Sequence, residues 1–350
     1  MPDSSTAVSE LAKARHHYHD LHVGRVIRET GDSSSIVFEI PTDLQGVFEY
    51  QSGQFLTLQI PYDGHTLYRC YSLASSPAVE REHKVTVKRV ADGRISNWIN
   101  ENLKAGDVVK VLPPAGHFVL GAEQKDLLMF AGGSGITPVI SILKTALATS
   151  SRRVRLIYAN RDEASIIFHS ELDELAERHA DRLEIAHRLD VREGFIDDPA
   201  VRRHLEGCAG REVYICGPGP FMDTVERTLL AAGTPAAAVH IERFTSLESE
   251  EEVAGSGTAL RQVEVSLDGA RQTIEVREGE TVLHAAKRCG LEPPSSCESG
   301  FCGCCMARLA RGKVHMLNND FLSPAELDEG WVLTCQSVPD TDDVAVEYPD

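Results

Sequence analysis

The N-terminal third of the chain carries short runs in which apolar and polar side chains alternate. Alternation with a period of two is typical of strands that bury one face, and turn residues separate the runs. Strands are predicted in this way at residues 23–27, 36–40, 55–60, 67–73, 85–90 and 108–112. Short strands divided by turns predict a small antiparallel β-barrel, which we place at residues 21–122.

The pattern changes after residue 122, where short and continuously apolar runs alternate with longer helical stretches. A continuous apolar run is typical of a strand that is buried on both faces. Such strands are predicted at residues 127–130, 154–158, 183–186, 213–216 and 239–241. Buried strands that alternate with helices predict an α/β, doubly wound parallel sheet over residues 123–245.

A third pattern begins with residues 246–260, which are acidic, rich in glycine and serine, and without periodicity. This composition predicts a linker. A hairpin at 263–276 and a helix at 281–288 follow, before a cysteine-rich loop, so an α+β domain is predicted over 261–350. Residues 1–20 are polar and contain three histidines. These could bind a metal, but a flexible head is the interpretation we adopt.

Charge and composition exclude several classes of function. Among 350 residues, 35 are Lys or Arg and 53 are Asp or Glu, which gives a formal charge of −18. This charge repels phosphates, so we expect no nucleic-acid partner. No apolar run is long enough to span a bilayer, and no secretory signal is visible. We therefore expect a cytoplasmic protein whose nine cysteines bind metal rather than form disulfides.

Four cysteines near the C-terminus carry the strongest chemical signal. Three follow the spacing C-x4-C-x2-C and the fourth follows later in Leu333-Thr334-Cys335; they are Cys297, Cys302, Cys305 and Cys335. This is the plant-type spacing of a [2Fe–2S] cluster. Four cysteines can also form a structural zinc site, but zinc usually takes two close pairs. Cys304 would break the spacing, so we expect it to fill a small buried space instead.

Two segments of the predicted barrel could bind a ligand that carries phosphate or a planar ring. In Arg69-Cys70-Tyr71-Ser72, strand alternation places Arg69 and Tyr71 on one face, where guanidinium and phenol could hold phosphate and a planar ring. An ordinary exposed strand would look similar. The Gly93–Ser96 turn opens a helix predicted at 97–103 and could bind an anion, although Ser96 could equally be an N-cap.

Two glycine-rich turns follow strands of the predicted parallel sheet. Residues 132–138 (GGSGITP) could bring backbone amides close to a pyrophosphate, although tight strand–helix packing would also explain the glycines. Residues 216–222 (CGPGPFM) end another strand. Because ligands bind at the carboxyl ends of such strands, Cys216 is a candidate neighbour of a reacting coenzyme, or otherwise a small buried residue.

Taken together, these motifs resemble ferredoxin–NADP reductase-type flavoproteins with a C-terminal plant-type [2Fe–2S] ferredoxin domain. The resemblance extends from Leu21 to Tyr348. Within that family the chain is similar to the reductase component of 3-ketosteroid 9α-hydroxylase, a Rieske oxygenase system. The segments YANRD at 158–162 and LDEG at 327–330 support this finer likeness. Reductases that serve phenylacetyl-coenzyme A oxygenation look similar.

The resemblance implies a β-grasp ferredoxin fold and a set of cofactor residues. Ser72, Thr137 and Cys216 would lie at the reacting atoms, with Ser72 facing flavin N5 and the other two flanking the nicotinamide. Tyr71 would stack on the flavin and Phe244 would cover its other face. The implied cofactor-binding set is Arg69, Cys70, Tyr71, Ser72, Val87, Lys88, Gly93, Ile95, Ser96, Gly133, Gly135, Thr137, Asn160, Arg161, Cys216, Gly217, Pro218 and Phe244.

The implied activity is electron transfer from NADH through FAD and the [2Fe–2S] cluster to a Rieske-type oxygenase. The phosphate turn favours FAD over FMN. NADH is preferred over NADPH because Asp162 and Glu163 would repel a 2′-phosphate, although Arg161 acts in the opposite direction. Two alternatives are an oxidase or diaphorase that needs no partner, and a zinc-stapled nucleotide-binding interaction module.

Overall fold

The computed structural model describes residues 14, 16–244 and 260–349, and three sheets follow one another along the chain. The first sheet has six antiparallel strands in the order β4-β3-β6-β1-β2-β5. A bridge between Leu73 and Val85 joins β4 to β5, so the sheet closes into the predicted barrel. Its elements are β1 His19–Thr30, β2 Ser33–Glu39, a 3-10 turn Thr42–Leu44, β3 Phe55–Tyr62, β4 His65–Ser72, β5 His83–Lys88, helix α1 Arg94–Asn102 and β6 Val108–Ala115.

Two predicted boundaries of the barrel are wrong. Strand β1 begins at His19, inside the predicted head, because His19 and Asp20 pair with strand β6. Helix α1 begins at Arg94 rather than at residue 97, because Gly93 occupies the N-cap position. Ser96 is therefore a helical residue, and its hydroxyl accepts a hydrogen bond from the Val90 amide at 3.1 Å. Of the predicted head, residues 1–13 and 15 lie outside the described residues.

The second sheet is parallel throughout, with the strand order β11-β10-β7-β8-β9. Buried apolar clusters cover both of its faces, as the continuous apolar runs predict. Its elements are β7 Leu127–Gly132, a 3-10 turn Gly133–Gly135, α2 Ile136–Thr149, β8 Val154–Asn160, a 3-10 turn Glu163–Ser165, α3 His169–Arg178, β9 Leu183–Leu189, α4 Asp190–Glu193, α5 Asp198–Leu205, β10 Glu212–Cys216, α6 Gly219–Ala231, a 3-10 turn Ala236–Ala238 and β11 Val239–Glu242.

The third sheet has the order β13-β12-β18-β14-β16, in which only the central β12–β18 pair is parallel. A helix packs on one face, which gives the expected β-grasp arrangement. The elements of this region are β12 Leu260–Leu267, β13 Ala270–Arg277, α7 Val282–Arg288, β14 Met306–Arg311, β15 Val314–Met316, α8 Pro324–Asp328, β16 Trp331–Leu333, β17 Ser337–Pro339 and β18 Val344–Glu347. Strands β15 and β17 pair with each other in an additional two-stranded sheet. Leu260, predicted as linker, begins β12; the rest of the predicted linker lies outside the described residues.

An ion-pair network joins the barrel to the parallel sheet. Lys144 of α2 is 5% exposed and lies 2.6 Å from Glu80 and 2.8 Å from Glu171. Lys84 of the barrel also pairs with Glu171, at 3.3 Å. Although burial opposes it, Lys144 and Lys84 lower the pKa of Glu171. Nearby, the hydroxyl of Ser141 donates to the Ser75 carbonyl at 2.6 Å. Because buried charges are costly unless paired, the network fixes the relative position of the two sheets.

Candidate redox site

Strand β4 brings the flavin-motif residues to one end of the barrel. Arg69 and Tyr71 are half-buried, and burial raises the pKa of Tyr71. Ser72 is 2% exposed, and its hydroxyl has no hydrogen-bond partner among the described residues. A buried hydroxyl without a partner is costly, so a ligand atom that hydrogen-bonds it would be stabilising. This fits a flavin nitrogen at Ser72.

Strand β5 carries Val87 and Lys88, which are predicted to contact FAD. Val87 is buried, while the Lys88 ammonium lies 3.9 Å from Asp32 and close to Gly133 of the parallel sheet. The pKa of Asp32 is lowered. Burial opposes this shift, whereas a hydrogen bond from Thr30 and the positive charge of Lys88 favour it.

The turn before α1 is shaped by close packing. A side chain on Gly93 would lie only 2.7 Å from the Ser96 hydroxyl, and Ile95 is buried beneath the helix. The structure thus shows tight local packing at this turn. Its role in binding FAD phosphate stays a prediction.

The two glycine turns of the parallel sheet contact each other directly. They follow β7 and β10, which are neighbours in the sheet. The chain leads from β7 to β8 on one side of this pair and from β10 to β11 on the other side. A Cβ atom on Gly135 would overlap the Cys216 carbonyl and lie 2.6 Å from the Gly217 amide. Gly217 in turn lies against the backbone of Gly132. Close backbone packing therefore explains Gly135 and Gly217. Gly133, with a φ of +52°, remains open to a ligand.

The predicted nicotinamide residues line this switch point of the sheet. Thr137 is 2% exposed and donates from its hydroxyl to the Ser134 carbonyl at 3.0 Å. Cys216 is fully buried, and burial raises the pKa of its thiol. Glu242 pairs with Cys216 across β10 and β11, and burial raises the pKa of this carboxyl to about 7. A neutral thiol would not repel a reduced coenzyme.

The coenzyme residues at the edges of this site differ in exposure. Asn160 is 4% exposed, and neither polar atom of its amide has a partner among the described residues, so the amide fits a ligand. Arg161 is exposed and donates to Asp162 at 2.9 Å. Pro218 is the N-cap of α6. Phe244 is 43% exposed at the end of a described range, so its cover over the flavin stays a prediction.

The four candidate ligand cysteines are all buried, and they lie in two pairs. Cys297 interacts with Cys302, and Cys305 interacts with Cys335. A hydrogen bond from Cys302 lowers the pKa of Cys297 to about 6. Burial opposes this shift, and the amides of nearby residues favour it. Two pairs of thiolates suit a centre of two irons, each held by two sulfurs.

The loop also directs amides at sulfur, as a cluster loop must. The Ser299 amide donates to the Cys297 sulfur and the Cys304 amide to the Cys302 sulfur, both at 3.4 Å. Gly303 has a φ of +70°, and a side chain there would overlap the Phe321 ring. Glycine is required at this position for both reasons.

Sulfur spacing distinguishes a two-iron centre from a single zinc ion. Four sulfurs around one tetrahedral zinc lie about 3.8 Å from one another, given Zn–S bonds near 2.3 Å. Within the described ranges, no three of these sulfurs lie within 4.8 Å of one another. The arrangement therefore fits a [2Fe–2S] cluster better than zinc.

The cysteine loop packs directly against the flavin-motif strand. The Cys70 sulfur lies 3.5 Å from the Ser296 hydroxyl, and Cys70 packs against the buried side-chain cluster that contains Cys302. Phe55 and Phe301 meet edge to face, with ring centroids 6.3 Å apart. The role of Cys70 in cofactor binding stays a prediction. The strand thus has a flavin-motif residue on either side of a residue that packs against a candidate cluster ligand.

Sequence reasoning missed two residues that shape this site. Tyr18, assigned to a flexible head, hydrogen-bonds the Cys304 sulfur at 3.4 Å and packs on Tyr68. Tyr158 donates its hydroxyl to the Gly133 carbonyl at 3.0 Å and so holds the glycine turn. For Tyr158, the available signal was a predicted buried strand that ends in a tyrosine. For Tyr18, no local signal was available.

Three family models cover most of the chain. They are the oxidoreductase FAD-binding domain at residues 20–120, the oxidoreductase NAD-binding domain at 129–227 and the 2Fe–2S iron–sulfur cluster binding domain at 265–340. Their order matches the three sheets. Fold and site therefore define an NAD(P)H-dependent iron–sulfur flavoprotein reductase.

Whole-chain relatives have the same organisation. The ferredoxin reductase component of 3-ketosteroid-9-alpha-monooxygenase from Rhodococcus rhodochrous is 43% identical over 94% of this chain and 96% of its own length. A component of the 1,2-phenylacetyl-CoA epoxidase from Escherichia coli is 35% identical over 95% of this chain and 98% of its own length. The solved structure of phthalate dioxygenase reductase matches with a TM-score of 0.56 and 25% identity, covering 94% of this chain and 98% of that one.

The chain belongs to the family of reductase components of oxygenase systems that combine these three domains. It is an oxidoreductase that passes electrons from NAD(P)H through FAD and a [2Fe–2S] cluster to an oxygenase. The predicted fold class and cofactors are confirmed, and the zinc-stapled interaction module is excluded.

No helix in the described part of the chain is long and apolar enough to cross a membrane.

Replacing Gly135 by Ala should disturb the nicotinamide side while FAD stays bound. The new methyl group would overlap the Cys216 carbonyl, and backbone cannot yield as a flexible side chain can. We expect NADH:ferricyanide activity to fall by at least about tenfold, since small misplacements are costly to the reaction. Gly219→Ala is the control, because nothing lies within 4 Å of a Cβ there. Equal activity of both variants would show that the contact is unimportant.

Replacing Cys70 by Ala should lower the midpoint potential of the cluster. Cys70 packs beside Cys302, and a thiol that donates to a cluster-bound thiolate would stabilise the more negative reduced state, by roughly 20–40 mV if the bond contributes about 0.5–1 kcal/mol. Cys70→Ser should keep most of the potential, and Cys208→Ala, distant in the parallel-sheet core, should leave it unchanged. Redox titration followed by EPR measures this. An unchanged potential in Cys70→Ala would refute the contact.

Proposed function

We propose that this chain is the reductase of a Rieske-type oxygenase that hydroxylates a steroid ring, and that NADH is its electron donor. The observation that carries the proposal is the 43% identity to a 3-ketosteroid-9-alpha-monooxygenase reductase over almost the full length of both chains. The phenylacetyl-CoA epoxidase component, at 35%, is the second candidate model. A cytoplasmic location is part of the proposal, because reduced thiols and reduced coenzyme are available there.

The side chains at the switch point provide binding and orientation. Bound FAD accepts two electrons from the coenzyme together and releases them singly to a [2Fe–2S] cluster, which carries one. Tyr71 would stack on the flavin ring, and the unpartnered Ser72 hydroxyl would hydrogen-bond its reactive edge. Thr137 and Cys216 would confine the nicotinamide between the two glycine turns. The Asn160 amide would hold the coenzyme from the end of β8.

The exit side of the molecule is the cysteine-rich domain. Residues 261–350 contain eight Lys and Arg against sixteen Asp and Glu, a formal charge of −8. An acidic surface around the exit favours an oxygenase with a basic docking surface and should speed their encounter at low salt. Electron delivery to the oxygenase should therefore slow as ionic strength rises.

Reconstitution with purified oxygenases tests the proposed partner. The reductase is combined with a 3-ketosteroid 9α-hydroxylase oxygenase or with a phenylacetyl-CoA oxygenase component, and product is counted per NADH consumed. We expect close to one product per NADH with the steroid enzyme and little with the other. Coupled turnover only with the second enzyme would overturn the assignment. NADH consumption without product in either mixture would favour a self-contained oxidase.

The preference for NADH rests on Asp162. Its carboxylate lies at the carboxyl end of β8, accepts from the Ser165 amide at 3.0 Å and engages Arg161. Arg161 is therefore paired with this carboxylate, which would repel a 2′-phosphate. We expect kcat/KM for NADH to exceed that for NADPH by at least about tenfold, roughly 1.4 kcal/mol.

A variant separates this explanation from a general loss of binding. Asp162→Asn keeps a hydrogen-bond acceptor for Ser165 and frees Arg161. It should therefore reduce the preference for NADH over NADPH, mainly by raising kcat/KM for NADPH. Steady-state kinetics with both coenzymes decide the matter. Equal efficiency in the wild-type enzyme would discard the preference.

A further inference from the structure

Two histidines and an aspartate come together on the parallel-sheet domain, away from the cysteine loop. His169 and Asp173 lie one turn apart on helix α3, and His187 lies on strand β9. One ligand atom from each of the three lies within 4.8 Å of the other two. No other trio of His, Cys, Asp or Glu does so within residues 14, 16–244 and 260–349.

The local fold explains how the trio forms. Helix α3 begins at His169, directly after Phe168, which takes a left-handed conformation with a φ of +61°. The i, i+4 spacing then places His169 and Asp173 on one helix face, with Nε2 and Oδ2 separated by 3.8 Å. The ring of His187, on strand β9, meets the ring of His169 nearly at right angles, with the two centroids 5.5 Å apart.

His187 is suited to act as a metal ligand. Its Nδ1 atom is buried and has no hydrogen-bond partner among the described residues. Its ring lies beside that of His169, with centroids 5.5 Å apart, and it belongs to the group of three possible ligands. An imidazole with an unpartnered ring nitrogen can bind a metal ion.

A simple ion pair between His169 and Asp173 would be the ordinary explanation of half of this cluster. It leaves His187 unexplained, because the buried Nδ1 atom of this second imidazole has no hydrogen-bond partner among the described residues. A cation held by both rings and the carboxylate would use all three side chains. It would also join helix α3 to strand β9.

We propose that His169, Asp173 and His187 form a binding site for a divalent transition-metal ion, with Zn²⁺ the expected occupant. Two imidazoles and one carboxylate suit borderline ions, whereas Mg²⁺ and Ca²⁺ require more oxygen ligands. Three protein ligands leave one tetrahedral position for water. The bound ion stabilises the β9 edge of the sheet and takes no part in electron transfer.

Metal counting on the holoenzyme tests the site. Purified enzyme treated with EDTA is dialysed against micromolar Zn²⁺, and bound zinc is counted per FAD for wild type, His187→Ala and Asp173→Asn. We expect wild type to bind one more zinc than His187→Ala, and Asp173→Asn to bind it at least tenfold more weakly. His179→Ala and Glu177→Gln, from the end of the same helix and its C-cap, are matched controls and should behave as wild type.

Thermal unfolding gives an independent measurement. Zinc should raise the Tm of wild type and both controls, since an ion that binds only the folded state stabilises it, while the two ligand variants should not respond. Mg²⁺ at the same concentration should have no effect. Retained FAD and NADH:ferricyanide activity show that each variant is folded. Equal zinc binding by wild type and both ligand variants, or binding only at millimolar zinc, would overturn the proposal.

Discussion

The packing of the cysteine loop against strand β4 is the contact on which the rest of the structure depends. One face of this strand carries the flavin motif, and Cys70 on the same strand contacts Ser296 and packs against the buried side-chain cluster that contains Cys302. The aromatic pair Phe55 and Phe301 packs beside it. Electron transfer between two cofactors requires that they lie close together. A direct contact between the two binding segments meets that requirement without any further protein.

The other half of the path depends on the topology of the parallel sheet. Because β7 and β10 are adjacent while their connections diverge, their glycine turns meet at one edge, and Gly135 lies against the Cys216 carbonyl. The ion pairs of Lys84 and Lys144 with Glu171 hold this sheet against the barrel. The coenzyme turns, the flavin strand and the cysteine loop therefore form one continuous sequence of contacts.

Much of this fold could be predicted from the sequence because its signals are local. Alternation identified the barrel strands, continuous apolar runs identified the parallel sheet, and cysteine spacing identified a cluster loop. The errors arose where tertiary contact decides the structure. Strand pairing with β6 extends β1 back to His19, and Gly93 rather than Ser96 caps α1. Tyr18 lies 286 residues from Cys304, so no sequence pattern could indicate their hydrogen bond. For the same reason the candidate site was only partly predictable. Alternation places Cys70 on the strand face opposite Arg69 and Tyr71, but it could not show that this face packs against the cysteine loop.

The central claim is that electrons pass from flavin to cluster within one molecule through the docked loop. Anaerobic stopped-flow mixing with NADH measures this directly by following the flavin and cluster absorbance bands at several enzyme concentrations. We predict that the cluster is reduced after the flavin, at a rate independent of enzyme concentration. A cluster reduction rate that increases in proportion to enzyme concentration would show transfer between molecules and would contradict the claim.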